Sequence, residues 1–391
     1  MTTALVILGS TISALAVARD ARAHGLLPII VDTRHGIACE SYGTRVELLD
    51  ASQLSTKELA RVCALGGGGK HFLIATGDAW LRFVIAHRDM LESAFARVLH
   101  ASNASLSTCL NKAHFAQWCR RHDVPAPRAW LAGREERPSE PMRLPVLLRP
   151  ADTLHDPAVA AIPKAVQIAS ESALREWLHR YQEAGVEPLV TESLLGQPLV
   201  QYSVAVARAQ GRTSSFVARK LRPGPEACAV GTCVELSPAR QIESQVLGML
   251  EALDYHGIAE VEVLHVPESG RSVVIEVNAR PWLQYALAPA SGHDFLGLLL
   301  GMPALRPSRL RKTGMIWLNL HDDLYVCWSR SLGMVRHGRL DLLSYLKTLW
   351  LANVYAVFDA GDLGPWWTTL RRRVTRTPPL PSAEGTATGP V

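Results

Sequence analysis

The hydropathy pattern changes period along the chain, and each change marks an element. Residues 4–8, ALVIL, are a continuous apolar run closed by Gly9; residues 13–23 carry a helix-compatible spacing; LLPIIVD at 26–32 is apolar again. Short apolar runs on either side of a helical stretch predict a β-α-β unit of a parallel sheet. HFLIAT at 71–76 predicts a further strand, with Gly77 and Asp78 opening the next crossover. From residue 106 the character changes. A helix in which Phe115, Trp118 and Cys119 recur at helical spacing is followed by a proline-containing exit at 124–127 and a strand. After a polar linker at 133–143, strands are predicted in LPVLLRP, EPLVTES, the stretch beyond Gly196, SSFVARKLRP and TCVELSP, with helices over 172–182 and 240–256. This pattern predicts an α+β module with antiparallel strands.

Two final strands, GIAEVEVLHV and SVVIEVNAR, are joined by PESG and predict a hairpin. Successive side chains of a strand point to opposite faces, so Glu276, Asn278 and Arg280 share one face while Val277 and Ala279 share the other. Glu260 and Glu262 share a face of the partner strand by the same rule. One reading is a solvated edge-strand face, which antiparallel sheets commonly have. The other is a cation site: clustered carboxylates repel unless neutralised, and oxygen-only donors favour Mg²⁺ held by one or two carboxylates plus substrate phosphates.

Composition narrows the choice. The 391 residues are 48% hydrophobic and 20% charged, enough for two or three domains. Seven scattered cysteines with no C-x-x-C pair point to a reduced, cytoplasmic protein without structural zinc. A net charge of +5, partly carried by Arg371, Arg372 and Arg373, favours anionic small ligands over nucleic acid. The apolar N-terminus lacks the basic flank of a signal peptide, and no apolar run is long enough to predict a membrane span. Two glycine-rich turns fall short of phosphate-loop patterns. Gly9-Ser10-Thr11 lacks the second and third glycines of G-x-G-x-x-G, which weakens a nicotinamide-cofactor reading built on Asp32; Gly66 to Gly69 and Lys70 are followed by His71 where a P-loop has Ser or Thr.

The order of segments resembles the ATP-grasp superfamily over roughly residues 1–310. LNKAHFAQWCRRHDVPAPRAW is similar to that family's Lys-bearing helix and its exit, which implies that Lys112 contacts nucleotide phosphate. LPVLLRP resembles a strand that usually ends in Lys-Pro; here Arg149 keeps the charge but replaces a point charge with a planar fork. Lys164 is implied as a second phosphate contact. VTESLLG resembles the hinge between the halves of the grasp, implying that the backbone of Ser193, Leu194 and Leu195 meets the adenine edge and Glu192 its amino group or the ribose. ARKLRP implies phosphate or acyl-phosphate contacts by Arg219 and Lys220. The paired strands imply Glu262, Glu276 and Asn278 as metal ligands, Glu260 as their neighbour, and Arg280 as the clamp on the transition state.

The fold class expected is therefore α/β and α+β: a parallel-sheet pre-ATP-grasp domain at 1–105, a two-part ATP-grasp module with antiparallel sheets at 106–312, a helical and mixed extension at 313–378, and a disordered tail at 379–391. The segment PWLQYALAPASGHDFLGLLLG is similar to a subgroup of carboxylate–amine ligases. The resemblance implies an enzyme that activates a carboxylate with ATP and Mg²⁺, or Mn²⁺, as an acyl phosphate. An amine, or a thiol, then attacks to release ADP and phosphate. The alternative is a nucleotide-binding regulatory protein of the same fold without turnover, hinted at by Arg149. Small-molecule carboxylate and amine are the expected partners, and a homodimer is the ordinary prior for assembly. The extension's helix DLLSYLKTLWLANVYAVF is expected to pack an apolar face on the module, a membrane-docking role being the other reading.

Overall fold

A computed structural model describes residues 2–50, 56–133, 142–152, 162–196, 198–222, 231–303, 305, 313–329 and 333–375. The apolar runs at the N-terminus become β1 (Ala4–Leu8), β2 (Leu27–Asp32), β3 (Arg45–Leu48), β4 (Phe72–Ala75) and β5 (Arg97–Val98), all parallel in the order β3-β2-β1-β4-β5. β1 is buried along its whole length, as expected of a central strand covered on both faces. The helix Ile12–Ala23 crosses between β1 and β2.

A second, four-stranded antiparallel sheet comprises β6 (Ala129–Leu131), β7 (Val146–Pro150), β8 (Val166–Ile168) and β9 (Pro188–Glu192), in the order β6-β9-β7-β8. The helix Glu171–Glu183 covers it, and Val146, Leu148, Ile168, Leu174, Tyr181 and Val190 form a core of their own. The third sheet is the largest. β10 (Val200–Ala209), β11 (Arg212–Arg222), β12 (Cys233–Leu236), β13 (Gly257–Val266), β14 (Arg271–Asn278), β15 (Ile316–Leu318) and β16 (Ala352–Tyr355) run in the order β14-β13-β10-β11-β12-β15-β16. Its two faces pack on the N-terminal sheet's elements: Val204, Val217, Val261 and Ala279 share a core with Leu8 and Trp80, while Phe216, Trp282 and Phe295 share one with Leu5, Ile7 and Leu15.

Three details differ from the pattern reading. The expected single helix from residue 106 breaks into Asn103–Leu110 and Lys112–Arg121, because Asn111 leaves helical geometry and its side chain accepts a hydrogen bond from the His114 N–H at 2.9 Å. Asparagine is among the strongest N-caps, so the break is local chemistry that periodicity cannot see. The helix expected over 240–256 ends at Ala252. β15 and β16 lie beyond residue 312 yet extend the large sheet, so the boundary expected there is crossed by strand pairing. The expected tail at 379–391 lies outside the described residues. No helix among the described residues is long and apolar enough to cross a membrane.

Candidate functional site

The hairpin forms as its alternation predicts: β13 and β14 pair antiparallel, with Glu260 opposite Asn278 and Glu262 opposite Glu276. Val277 and Ala279 are buried while Glu276, Asn278 and Arg280 stay partly exposed. β10 lies on the other side of β13 and places Ser203 opposite Glu262 and Ala205 opposite Glu260. One end of this sheet face is therefore polar, and its charges are compensated. Glu260, 3% exposed, accepts hydrogen bonds from Asn278 Nδ2 at 3.0 Å and from the Ser203 hydroxyl. Glu262 accepts from Lys220 Nζ and Gln201 Nε2, each at 2.8 Å, and the Lys220 side chain is 2% exposed. Burial raises the Glu262 carboxyl above its usual range; Lys220 opposes the rise and Glu260 adds to it.

Cations from a second element face this row. Asn111 caps the helix Lys112–Arg121 at its first residue, and the Lys112 backbone N–H donates to the Ala151 carbonyl at 2.9 Å, just past β7. The Lys112 ammonium reaches to 3.9 Å from Glu276 Oε1. Burial lowers its pKa, the Glu276 charge resists that, and the nearby Arg149 guanidinium lowers it further. Lys112, Arg149, Thr191, Ile275 and Glu276 line one narrow cleft between the four-stranded and seven-stranded sheets.

The N-terminal sheet contributes the third side. Asp78 begins the helix Asp78–Ala86 immediately after β4 and Gly77. Its Oδ1 accepts from Arg280 Nε at 2.5 Å, while Arg280 Nη2 donates to Asn278 Oδ1 at 3.4 Å. Burial would raise the Asp78 carboxyl, but the guanidinium of Arg280 outweighs it and the pKa falls. Arg82, one turn along the helix, is hydrogen-bonded to Asp152. Three sheets thus deliver charged groups to one cleft.

No family model matches the chain. A D-aspartate ligase of Enterococcus faecium (strain Aus0004) is 24% identical over 226 residues, 54% of this chain and 53% of its own length. The chain thus spans about half the length of that curated relative. Among solved structures, an N5-carboxyaminoimidazole ribonucleotide synthetase in an ADP complex superposes with a TM-score of 0.62 at 16% identity, covering 80% of this chain and 81% of that one. A biotin carboxylase from Campylobacter jejuni in a β-γ-ATP complex gives 0.59 at 14% identity, covering 80% and 74%. The chain has the ATP-grasp fold.

In the grasp, the four-stranded and seven-stranded sheets are the two halves, and residues 193–195 begin the connection from β9 to β10. Leu194 is buried against Leu264 and Val273, and the Leu195 N–H donates to Ser193 Oγ at 3.3 Å. Glu192 makes a two-point contact with Arg271, at 2.7 and 3.0 Å, and accepts from the Arg128 N–H at 3.2 Å. That contact holds its carboxyl below the usual range, so in this state it ties the connection to β14. Lys164 is exposed just ahead of β8, outside the hydrogen-bonded cluster.

The structure separates two of the expected phosphate contacts. Arg219 and Lys220 are adjacent on β11, so they point to opposite faces: Lys220 enters the polar cluster, while Arg219 donates to Glu235 at 3.0 Å across the other face. Asp78, Gln201 and Ser203 belong to the cluster and were not singled out for a role from the sequence. Gly77-Asp78 at a strand-to-helix turn was the available signal; Gln201 and Ser203 carried none, because only the register of β10 brings them to Glu262 and Glu260.

Among the described residues, no three of His, Cys, Asp and Glu converge as a metal site. That suits Mg²⁺ no worse, since Mg²⁺ keeps waters and takes one or two carboxylates together with substrate phosphates. The partly exposed Glu276 and the amide oxygen of Asn278 are hard donors of the right kind, and Lys220 supplies the positive charge that Glu262 needs while buried.

Proposed function

We propose that the chain is an ATP-dependent ligase that activates a small carboxylate as an acyl phosphate and joins it to an amine. The observation that carries this reading is the meeting of Lys112 and Arg149 with Glu276, whose strand and its end also carry Asn278 and Arg280. The partial likeness to a D-aspartate ligase supports it.

The chemistry asks for position and electrostatics more than for a side-chain nucleophile. A carboxylate oxygen attacks the γ-phosphorus of ATP; the P–O bond to the β-phosphate breaks and ADP leaves. The amine nitrogen then attacks the acyl carbon, the C–O bond to phosphate breaks, and the amine's proton is released with inorganic phosphate. Lys112 and Arg149 hold the nucleotide's phosphates. Lys112 enters partly desolvated, which strengthens its pull on an anion. Arg280, aligned by Asp78 and by the Asn278 oxygen, faces the anion that develops during transfer. Glu276 and Asn278, with Glu262, would hold Mg²⁺, whose role when bound is to neutralise phosphate charge.

Thermal unfolding with ADP or a non-hydrolysable ATP analogue tests the reading, because a ligand of the folded state alone raises the transition. The expected outcome is a shift that requires Mg²⁺ and disappears in Glu276→Gln, with ADP release when carboxylates and amines are screened. A shift with NAD or NADP and none with adenine nucleotides would transfer the function to the N-terminal sheet. A nucleotide shift without turnover across the screen would favour the regulatory alternative.

A further inference from the structure

We propose that Glu260 is a positioning residue: it fixes which end of the Asn278 carboxamide is left free, and so makes that side chain an oxygen ligand for a cation. The inference rests on the reading of the cleft as a Mg²⁺-dependent nucleotide site. Glu260 and Asn278 stand directly opposite each other on β13 and β14, the first buried and the second partly exposed. A carboxamide donates at one end and accepts at the other, and the two ends have almost the same shape, so packing alone does not choose between them. A carboxylate does choose, because it only accepts. Glu260 Oε2 takes the Asn278 Nδ2 end at 3.0 Å, which leaves Oδ1 to accept from Arg280 Nη2 at 3.4 Å. Reversing the amide would set oxygen against oxygen at Glu260 and a donor against the guanidinium, two repulsive contacts in place of two attractive ones.

The orienting carboxylate is itself held, since the Ser203 hydroxyl on β10 donates to its other oxygen, Oε1. Its partners differ in kind from those of Glu262, the next acid on the same face, whose charge is met by the Lys220 ammonium. Among the described residues, the hydrogen bonds to the Glu260 carboxylate come from an amide and a hydroxyl, both neutral.

Burying a carboxylate against neutral donors costs stability, and a glutamine would fill the same space without that cost. What a glutamine would lose is the one-way choice, because it presents an N–H as readily as an oxygen. Mg²⁺ takes oxygen donors, so the orientation of the amide decides whether Asn278 can serve it. Partners that orient a metal ligand in this way typically set metal affinity by about 10–100-fold.

Mg²⁺ titration of the ADP-induced rise in melting temperature, with Mn²⁺ affinity read by electron paramagnetic resonance, tests the assignment on the full chain. Glu260→Gln should move the Mg²⁺ midpoint and the Mn²⁺ affinity by about tenfold to higher concentration, while ADP binding measured in EDTA stays unchanged. Asn278→Asp alone sets two carboxylates face to face and should lower the melting temperature. Joined to Glu260→Gln it reverses the polarity of the pair: the glutamine N–H donates to the aspartate, whose second oxygen is left for the cation. The double variant should therefore recover both the melting temperature and the metal affinity. An unshifted Mg²⁺ midpoint in Glu260→Gln, whatever its melting temperature, makes Glu260 structural only and overturns the assignment. So does a double variant that binds Mn²⁺ no better than Glu260→Gln. A native protein whose ADP binding ignores Mg²⁺ overturns the reading of the cleft together with the role of Glu260.

Discussion

At the scale of single residues, the site rests on groups whose charges are satisfied by named partners, and removing one partner is the informative change. Lys220 and Glu262 are both largely buried, so Lys220→Ala leaves a carboxylate without its cation. Breaking a buried pair from one side costs about 3–5 kcal/mol, measurable by denaturant unfolding, and Lys220→Ala combined with Glu262→Gln should recover part of that loss. Glu276→Gln tests the opposite case. Its side chain is 42% exposed, so folding should survive while ADP release falls by at least about 100-fold, read in a coupled assay. That Glu276, Asn278 and Arg280 share one face is legible because strand alternation alone assigns it, whereas the roles proposed for them rest on the family resemblance. Arg219 and Lys220 read as one basic segment in the sequence, and only the alternation within the strand separates their faces.

At the scale of elements, caps and registers do the positioning. Asn111 starts the helix that presents Lys112 to Glu276, and its cap is a single side-chain hydrogen bond. Asn111→Ala should cost about 1 kcal/mol and weaken the nucleotide-induced thermal shift, whereas Asn111→Asp, another strong cap, should keep both. The paired strands, their hairpin and the Lys-bearing helix were all visible in the hydropathy pattern. What the pattern did not contain was which strand lies beside β13. Pairing with β10 brings Gln201 and Ser203 under the two glutamates, and residues so far apart in sequence leave no periodic trace of that adjacency.

At the scale of the whole molecule, two buried charge clusters join parts distant in sequence. His24, at the end of the helix Ile12–Ala23, places Nδ1 2.9 Å from the Asp20 carbonyl oxygen and Nε2 2.8 Å from Asp294 Oδ1. Burial alone would lower its pKa, but Asp20 and Asp294 outweigh it and raise the value to about 10 from an ordinary 6.5. The folded state therefore binds this proton more tightly than the unfolded chain. The stabilisation is complete below pH 6.5 and is lost as pH rises towards 10. Unfolding free energy measured across that window should decline in the native sequence, and His24→Gln should remove that component of the slope. Arg222 and Asp323 make the second clamp, a two-point pair at 2.6 and 2.9 Å that fastens the C-terminal helices to β11. Asp323→Ala should destabilise by about 3–5 kcal/mol in denaturant unfolding, because it strands a guanidinium that is itself buried.

What the sequence determined by itself is whatever depends on neighbours along the chain: the β-α-β opening, the alternating Glu276-Asn278-Arg280 face, and the apolar stripe of the C-terminal helix. These follow from fixed backbone periods, so a one-dimensional pattern suffices. The tertiary structure alone decided that Asp78, on the helix that follows β4, holds Arg280 beyond β14, that β15 and β16 join the seven-stranded sheet, and that the leucine and tryptophan stripe faces outward. Each depends on which surfaces meet in space. An apolar stripe reads the same whether another element covers it or solvent does, and only packing distinguishes the two.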